Sequence, residues 1–223
     1  MRKGEEVNNK MKKLYLATLV IAALMLITLP SSAQANLLDN ASFESNGGAW
    51  TTPDWWSVDK TASAAGTINW GPTPVDGSWV FAVDQWGGGS AGSYGYAAQD
   101  VATGFNVGDA ATLSMYVKTD AGYTGDAKLK LEFLGTGGTV LGTALSSEYG
   151  AGTDWTLATA TGVIPVGTTS LKAYALSENM GVASTSAFFD AGSLDTASVP
   201  EPASLLLLGA GLVGLLGFKK VKK

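Results

Sequence analysis

The side chains of this sequence that are able to do chemistry are carboxylates, amides and aromatic rings. Its 223 residues include no histidine and no cysteine. A Ser-His-Asp triad, a cysteine nucleophile, a Cys/His zinc site and a disulfide are therefore excluded. Carboxylate oxygens remain available to hold a hard cation such as calcium, and exposed rings remain available for stacking.

The seven tryptophans are the most conspicuous of these groups. Sugars present flat C–H faces that pack on exposed rings, while Asp and Gln side chains hydrogen-bond the hydroxyls. The Gly-rich stretch DQWGGGSAGSYGY (84–96) would let a ligand approach the backbone, and adjacent Trp55 and Trp56 place one ring outward if that segment is extended. The alternative is that these rings belong to a core and the loop binds nothing. The candidate carbohydrate-binding residues are Trp55, Trp56, Asp84, Gln85, Trp86, Tyr94 and Tyr96.

The acidic charge of the central segment limits its partners. Nine of the 14 basic residues lie in the first 13 or the last five positions. Residues 36–199 contain five lysines, no arginine and 16 acidic residues, which gives a net charge of −11. Such a surface repels phosphates, so we expect no nucleic-acid partner. The charge suits a solvated exported protein or one that binds cations.

The N-terminus is typical of a secretory signal. A basic stretch, an apolar run at 14–29 and the small-x-small sequence AQA at 33–35 predict a signal peptide over residues 1–35. The mature chain would then begin at Asn36. Met11 is an alternative start to Met1, and a retained membrane anchor is the alternative interpretation of the apolar run.

The C-terminus, VPEPASLLLLGAGLVGLLGFKKVKK, is typical of a membrane anchor. The uncharged run 203–218 covers about 24 Å as a helix, somewhat short of a hydrocarbon core of about 30 Å. The lysines that follow it favour the cytoplasmic side, which places the preceding segment outside. The sequence GAGLVG (209–214) matches a dinucleotide-binding pattern, but no strand precedes it, so membrane-helix glycines explain it better.

The order of features in this tail resembles the PEP-CTERM sorting domain. Pro200, Glu201 and Pro202 precede the apolar run and the basic end, so the resemblance covers residues 199–223. The two prolines disrupt a helix and leave an extended segment at the membrane surface. The resemblance implies cleavage by a membrane exosortase, transient anchoring in the bacterial inner membrane, and a destination at the cell surface or in an exopolysaccharide biofilm matrix.

Alternating hydrophobicity predicts strands through the middle of the chain. KLKLEF (128–133) alternates without exception, and TLSMYVK (112–118), WTLATATGV (155–163) and SLKAYAL (170–176) behave likewise. Period-two alternation between Gly-rich turns indicates half-buried antiparallel strands, and no helix is evident. The sequence therefore predicts an all-β antiparallel β-sandwich of the jelly-roll type over residues 36–198.

Three segments of this domain resemble jelly-roll carbohydrate-binding modules. They are NLLDNASFESNGGAW (36–50), DGSWVFAVDQWGGGSAGSYGYAAQDV (76–101) with the GDAATLSMYVKT that follows it, and STSAFFDAGSLDTA (184–197). Together they extend the resemblance over nearly all of residues 36–197. The resemblance implies a structural calcium between the first and last strands, held by Glu44 and Asp190 with Asn36 or Asn40. Ala191 stands where the family usually has a second acidic residue. The alternative is that Glu44 and Asp190 are ordinary turn or edge-strand residues.

Three functions remain. The first is a non-catalytic exported protein that binds polysaccharide, and the second is a structural surface or matrix protein without a sugar site. The third is a small glycoside hydrolase or lyase. Hydrolysis needs two carboxyl groups roughly 5–10 Å apart, and 16 acids make such a pair unremarkable. No His or Arg lies in 36–199 to assist a lyase, so we expect no catalytic residue.

Overall fold

Ten β-strands form two antiparallel sheets in the described part of the chain, which is residues 35–86, 90–152 and 154–197 of a computed structural model. In chain order they are β1 (Ser57–Lys60), β2 (Ala64–Ile68), β3 (Val80–Gln85), β4 (Ser93–Val101), β5 (Ala110–Thr119), β6 (Asp126–Leu134), β7 (Val140–Leu145), β8 (Thr156–Val163), β9 (Ser170–Met180) and β10 (Thr185–Ala197). A single 3-10 turn, Thr136–Gly138, joins β6 to β7.

The strand order is that of a jelly roll. The first sheet runs β1-β4-β9-β6-β7 and the second runs β2-β3-β10-β5-β8. From β3 to β10 the chain crosses to the other sheet at every connection except the β6–β7 hairpin, which builds two nested Greek keys. β1 and β2 extend the two sheets along one side. The predicted all-β antiparallel sandwich is confirmed for the described residues.

The predicted terminal elements lie outside the described residues. These are the signal peptide, apart from its last residue, and the sorting helix. In residues 35–86, 90–152 and 154–197, no helix is long and apolar enough to cross a membrane. The domain boundaries at 35/36 and 198/199 stay predictions.

Side-chain alternation builds the core between the sheets. Leu113, Met115 and Val117 of β5 are fully buried, and Leu129 and Leu131 of β6 face them from the other sheet. Burying each such side chain contributes about 1.5–3 kcal/mol. The inward positions of KLKLEF and TLSMYVK are thus the ones that the alternation predicts.

A chain of aromatic rings closes one end of this core. Phe43 lies 5.1 Å from Trp56 and 5.6 Å from Phe81, centroid to centroid, and Phe81 lies 6.1 Å from Phe189. These rings come from the segment before β1, from β3 and from β10. The N-terminal segment is therefore fixed to the sandwich through its aromatic side chains.

Candidate functional site

The structure separates the seven candidate sugar-binding residues. Trp56 is only 5% exposed, and its Nε1 donates a hydrogen bond to the carbonyl of Asn40 at 3.2 Å. Gln85 is 1% exposed; its Oε1 accepts from the Ser63 amide, and its Nε2 donates to Ser93 Oγ at 3.3 Å. Both side chains are satisfied inside the fold, so neither reaches a surface where a ligand could bind.

Trp55 is the outward member of the Trp pair, although the extended backbone that the sequence argument assumed is not present. Its side chain is 64% exposed, whereas Trp56 points into the core. The backbone is a turn here and not an extended strand, because φ of Trp55 is +66°. No aromatic ring contacts Trp55 among the described residues, so it stands apart from the other candidates.

Tyr94 and Tyr96 lie on the outer face of the first sheet. They are two residues apart on β4, so they point to the same side. Their ring centroids are 6.1 Å apart and their planes differ by 13°. Tyr174 of β9 lies edge-on to Tyr96 at 5.4 Å, because it pairs with Ala98 in the neighbouring strand. We call Tyr94, Tyr96 and Tyr174 the tyrosine face.

Carboxylates are fixed at both ends of the tyrosine face. The Tyr94 hydroxyl donates to Asp59 Oδ2 at 3.1 Å, and the Tyr174 hydroxyl donates to Glu132 Oε2 at 2.8 Å. The bond to Asp59 raises the pKa of Tyr94. Burial, followed by the bond to Glu132, raises the pKa of Tyr174. All these phenols therefore stay protonated at neutral pH and orient the carboxylates beside the rings.

The lysines of this face are paired with acids. Lys130 Nζ lies 3.1 Å from Glu132 Oε1 and 4.0 Å from the Tyr174 ring centroid, so it covers that ring. Lys128 pairs with Glu178 at 2.9 Å. The ring surfaces that remain for a ligand belong to Tyr94 and Tyr96, which are half-buried.

Asp84 and Trp86 lie on the opposite surface, the outer face of the second sheet. The alternation of β3 turns Asp84 outward and Gln85 inward, a signal present in the sequence WVFAVDQW. Trp86 Nε1 donates to Asp84 Oδ2 at 2.5 Å. The ring centroids of Trp86 and Trp50 are 6.3 Å apart, and those of Trp50 and Trp70 are 5.9 Å apart. We call Trp50, Trp70 and Trp86 the tryptophan face.

The two carboxylates assigned to calcium both bind the loop 75–79. Asp190 is fully buried; its Oδ2 accepts from the amides of Val75 and Asp76 at 2.6 and 3.0 Å, and its Oδ1 accepts from its neighbour Ala191. Glu44 Oε1 accepts from the amides of Ser78 and Trp79 at 2.9 and 2.8 Å. Burial raises the pKa of Asp190 to about 6, although the three amides act against that rise.

The two asparagines assigned to calcium are also engaged with the backbone. Asn36 donates to the Gly192 carbonyl at 2.9 Å, and its Oδ1 accepts from the amides of Leu38 and Leu194. Asn40 donates to the Ser45 carbonyl at 2.7 Å, and its Oδ1 accepts from the Ser45 amide. Their side chains fasten the N-terminal segment to β10 and to its own turn.

Most of the carboxylate oxygens assigned to calcium already accept hydrogen bonds. In residues 35–86, 90–152 and 154–197, no three acidic side chains are placed to hold a metal ion together. Three of the four oxygens of Glu44 and Asp190 already accept backbone amides, so a cation would have to share those oxygens with the amide donors. Calcium therefore stays a prediction, and no step of the function below depends on it.

The sequence reasoning missed Asp59, Glu132 and Tyr174 on one face and Trp50 and Trp70 on the other. A partial signal for Tyr174 exists, because SLKAYAL alternates and places Lys172, Tyr174 and Leu176 on one side. The neighbours of these residues depend on strand pairing, which alternation does not specify.

Sequence comparison identifies the tail. The PEP-CTERM protein-sorting motif matches residues 198–222, which lie outside the described residues. The resemblance drawn from Pro200, Glu201 and Pro202 is thereby confirmed. A comparison of the sequence with curated proteins finds no match.

Solved structures are similar to the sandwich. The arabinose-bound α-L-arabinofuranosidase MgGH51 has a TM-score of 0.54 at 16% identity, over 76% of this chain and 27% of that one. The enzymatically active domain of tailspike protein 4 of bacteriophage CBA120 has a TM-score of 0.52 at 15% identity, over 71% of this chain and 21% of that one. TmCBM61 in complex with β-1,4-galactotriose has a TM-score of 0.48 at 18% identity, over 71% of this chain and 97% of that one. This chain thus spans roughly a quarter of the first two proteins, and at these identities the likeness shows the fold alone.

Proposed function

We propose that this chain is an exported bacterial surface protein whose sandwich binds polysaccharide on the tyrosine face without cleaving it. The observation that carries the proposal is the pair Tyr94 and Tyr96, which lie side by side between the fixed carboxylates of Asp59 and Glu132. Ring faces attract the C–H faces of sugars, and carboxylates accept hydrogen bonds from sugar hydroxyls. The arrangement is held before any ligand arrives, which lowers the entropic cost of binding.

The charges of this face favour a neutral polysaccharide. Lys128, Lys130 and Lys172 each lie within 3.5 Å of a carboxylate oxygen, so their charges are already balanced. An acidic glycan would have to compete with those carboxylates and approach a segment whose net charge is −11. A neutral polysaccharide neither competes with those carboxylates nor is repelled by the negative charge of the segment.

The tail supplies the proposed location. The PEP-CTERM match at 198–222 supports export, transient anchoring in the inner membrane and processing by an exosortase. The processed domain would then reside at the cell surface or in an exopolysaccharide matrix such as that of a biofilm. Polysaccharide and exosortase are its proposed partners, and its acidic surface argues against nucleic acid.

The carboxylates of the tyrosine face support binding better than catalysis. A general acid for glycoside hydrolysis needs a raised pKa in a cleft. The raised carboxyl pKa among the described residues belongs to Asp190, which lies beneath the loop 75–79 and bonds its amides. Asp59 and Glu132 instead accept hydrogen bonds from the hydroxyls of Tyr94 and Tyr174 on the outer face of the first sheet.

A glycan-binding assay tests the proposal directly. The full chain in detergent and residues 36–198 would be screened by affinity electrophoresis against xylan, β-1,4-galactan, mixed-linkage β-glucan and exopolysaccharide from the producing bacterium. The double variant Tyr94→Ala/Tyr96→Ala should lose at least about tenfold in affinity, equivalent to about 1.4 kcal/mol. Tyr116→Ala is the matched control, because Tyr116 lies on the outer face of the other sheet and is similarly half-buried.

Three results would separate the hypotheses. Saturable binding that the double variant weakens at least about tenfold supports the tyrosine face. A folded, monodisperse protein that binds none of these glycans contradicts the proposal and favours the structural surface protein. Release of reducing ends during the incubation would contradict the non-catalytic part alone.

A further inference from the structure

The outer face of the second sheet carries a row of three indoles along β2 and β3. Trp70 follows β2 at the beginning of β3, since Ile68 pairs with Val80, and Trp86 follows the end of β3. Trp50 lies between them, with its centroid 5.9 Å from that of Trp70 and 6.3 Å from that of Trp86. The row therefore runs alongside β3 and is shorter than that strand.

Two of the three rings, Trp50 and Trp86, are held in place from below. Trp86 donates to Asp84, and the Trp50 amide donates to the Thr67 carbonyl at 2.6 Å. The Trp50 ring packs on an apolar cluster that lies outside the main core. This cluster consists of Ile68, Val80, Ala82 and Phe188. Rings that are already immobile lose little freedom when a ligand binds.

The two outer rings remain open to solvent. Trp70 is 51% exposed and Trp86 is 52% exposed. Both meet Trp50 edge to face, at interplanar angles of 73° and 88°, and do not stack flat on it. Each outer ring therefore keeps at least one flat face that Trp50 does not cover.

The charge around these rings favours a neutral ligand. Asp84 lies next to Trp86, and its Oδ1 accepts from Ser186 Oγ at 3.0 Å, which leaves acceptor capacity on both carboxylate oxygens. An anionic membrane or a second copy of this domain would bring negative charge against a segment of net charge −11. The sugar rings of a neutral polysaccharide present flat C–H surfaces flanked by hydroxyls, and these surfaces carry no charge. They match the exposed indole rings, and the hydroxyls match the carboxylate of Asp84.

We propose that the tryptophan face is a second binding site for neutral polysaccharide, so that one chain cross-links two glycan strands. This inference rests on the proposed function, because it requires that the tyrosine face bind glycan as well. The two faces belong to different sheets packed about 10 Å apart, and they point in opposite directions. A glycan strand bound to one face cannot contact the other face at the same point along its length, so the two sites hold separate glycan strands.

The experiment counts sites and measures bridging. The probe is the glycan from the panel above that binds the wild type most tightly, as a short oligosaccharide for calorimetry and as polysaccharide-coated beads for agglutination. The variants are Trp70→Ala/Trp86→Ala and Tyr94→Ala/Tyr96→Ala. Leu157→Ala/Val163→Ala is the matched control, because it removes two exposed apolar side chains from β8, the strand at the opposite edge of the same sheet. Light scattering confirms that every protein is monomeric.

The expected wild-type result is two sites per monomer and agglutination of the beads. Each double variant should keep one site, lose agglutination and bind coated beads at least about tenfold more weakly, since paired engagement is lost. The β8 control should behave like the wild type. Near-ultraviolet circular dichroism distinguishes loss of a site from loss of the fold.

Other outcomes separate this inference from the proposed function. One site in the wild type, removed by the tyrosine variant and unaffected by the tryptophan variant, overturns the second site and leaves the proposed function intact. One site removed by the tryptophan variant alone overturns cross-linking and the placement on the tyrosine face. No sites with any probe overturns both.

Discussion

Replacing Gly66 by alanine should loosen the attachment of the tryptophan face to the sandwich. Gly66 lies in β2 directly beneath the segment that carries Trp50. A Cβ added there would be 2.7 Å from the Trp50 carbonyl carbon and 2.9 Å from the Thr51 oxygen, both closer than real Cβ contacts. These are backbone atoms, so no rotation of a side chain relieves the overlap.

The cost of this replacement follows from the contacts that must move. Overpacking of this kind costs about 1–3 kcal/mol. Displacing the segment also weakens the bonds from the Trp50 amide to Thr67 and from the Thr67 amide to Thr51, each worth about 1 kcal/mol. Alanine regains about 0.5–1 kcal/mol because it lowers the entropy of the unfolded chain. The net loss should be about 1–3 kcal/mol, a fall in Tm of about 3–10 °C for a domain of this size.

Thermal unfolding and tryptophan fluorescence measure both consequences. Gly142→Ala in β7 is the control, because its nearest contacts would be 3.4 and 3.5 Å away, at side chains, which is an ordinary packing distance. We expect the control to stay within about 0.5 kcal/mol of the wild type. Gly66→Ala should melt lower, shift its emission to longer wavelength and agglutinate glycan-coated beads less well. Equal melting and emission for the two variants would refute the placement of Trp50 over β2.

Four further predictions concern single residues. Trp56→Ala should cost about 3–5 kcal/mol in equilibrium unfolding because the ring is buried against Phe43, whereas exposed Trp55→Ala should cost less than about 0.5 kcal/mol. Burial raises the pKa of folded Asp190 to about 6 from an unfolded value of about 4. The folded state therefore binds this proton more tightly, so the contribution of Asp190 to stability is greatest below pH 4 and falls by at most about 3 kcal/mol as the pH rises through 6. Denaturation at several pH values should show this slope in the wild type and not in Asp190→Asn. Glu44→Ala should lose about 1–3 kcal/mol through its two amide bonds, and Glu44→Gln less, because the amide oxygen still accepts. If calcium binds as predicted, the wild type melts higher in calcium than in chelator and Glu44→Gln does not; equal wild-type curves would exclude that site.

Strands β5, β6, β8 and β9 were predictable because their side chains alternate between the core and the outer surface. A residue at every second position of KLKLEF had to be apolar to fill the space between the sheets, and that requirement is visible in the sequence. The same logic predicts one outward ring for Trp55 and Trp56, although it assumes an extended segment and φ of Trp55 is +66°. It would also have placed Gln85 inside, since Phe81, Val83 and Gln85 share one side of β3. An amide in an apolar core is stable here because Ser63, Ser90 and Ser93 satisfy it, and those partners come from other segments.

The two faces were not predictable because they depend on the crossing between sheets. DQWGGGSAGSYGY leaves the second sheet at Gln85 and enters the first sheet at Ser93. Residues that are eight positions apart, Trp86 and Tyr94, therefore lie on opposite surfaces, although the sequence suggests one aromatic loop. Tyr94 meets Asp59 through the pairing of β4 with β1, and Trp86 lies beside Trp50, which comes from the segment before β1. Substitutions within this one stretch therefore perturb the two surfaces independently, which makes it the most informative segment of the chain for separating a protein that binds one glycan strand from one that joins two.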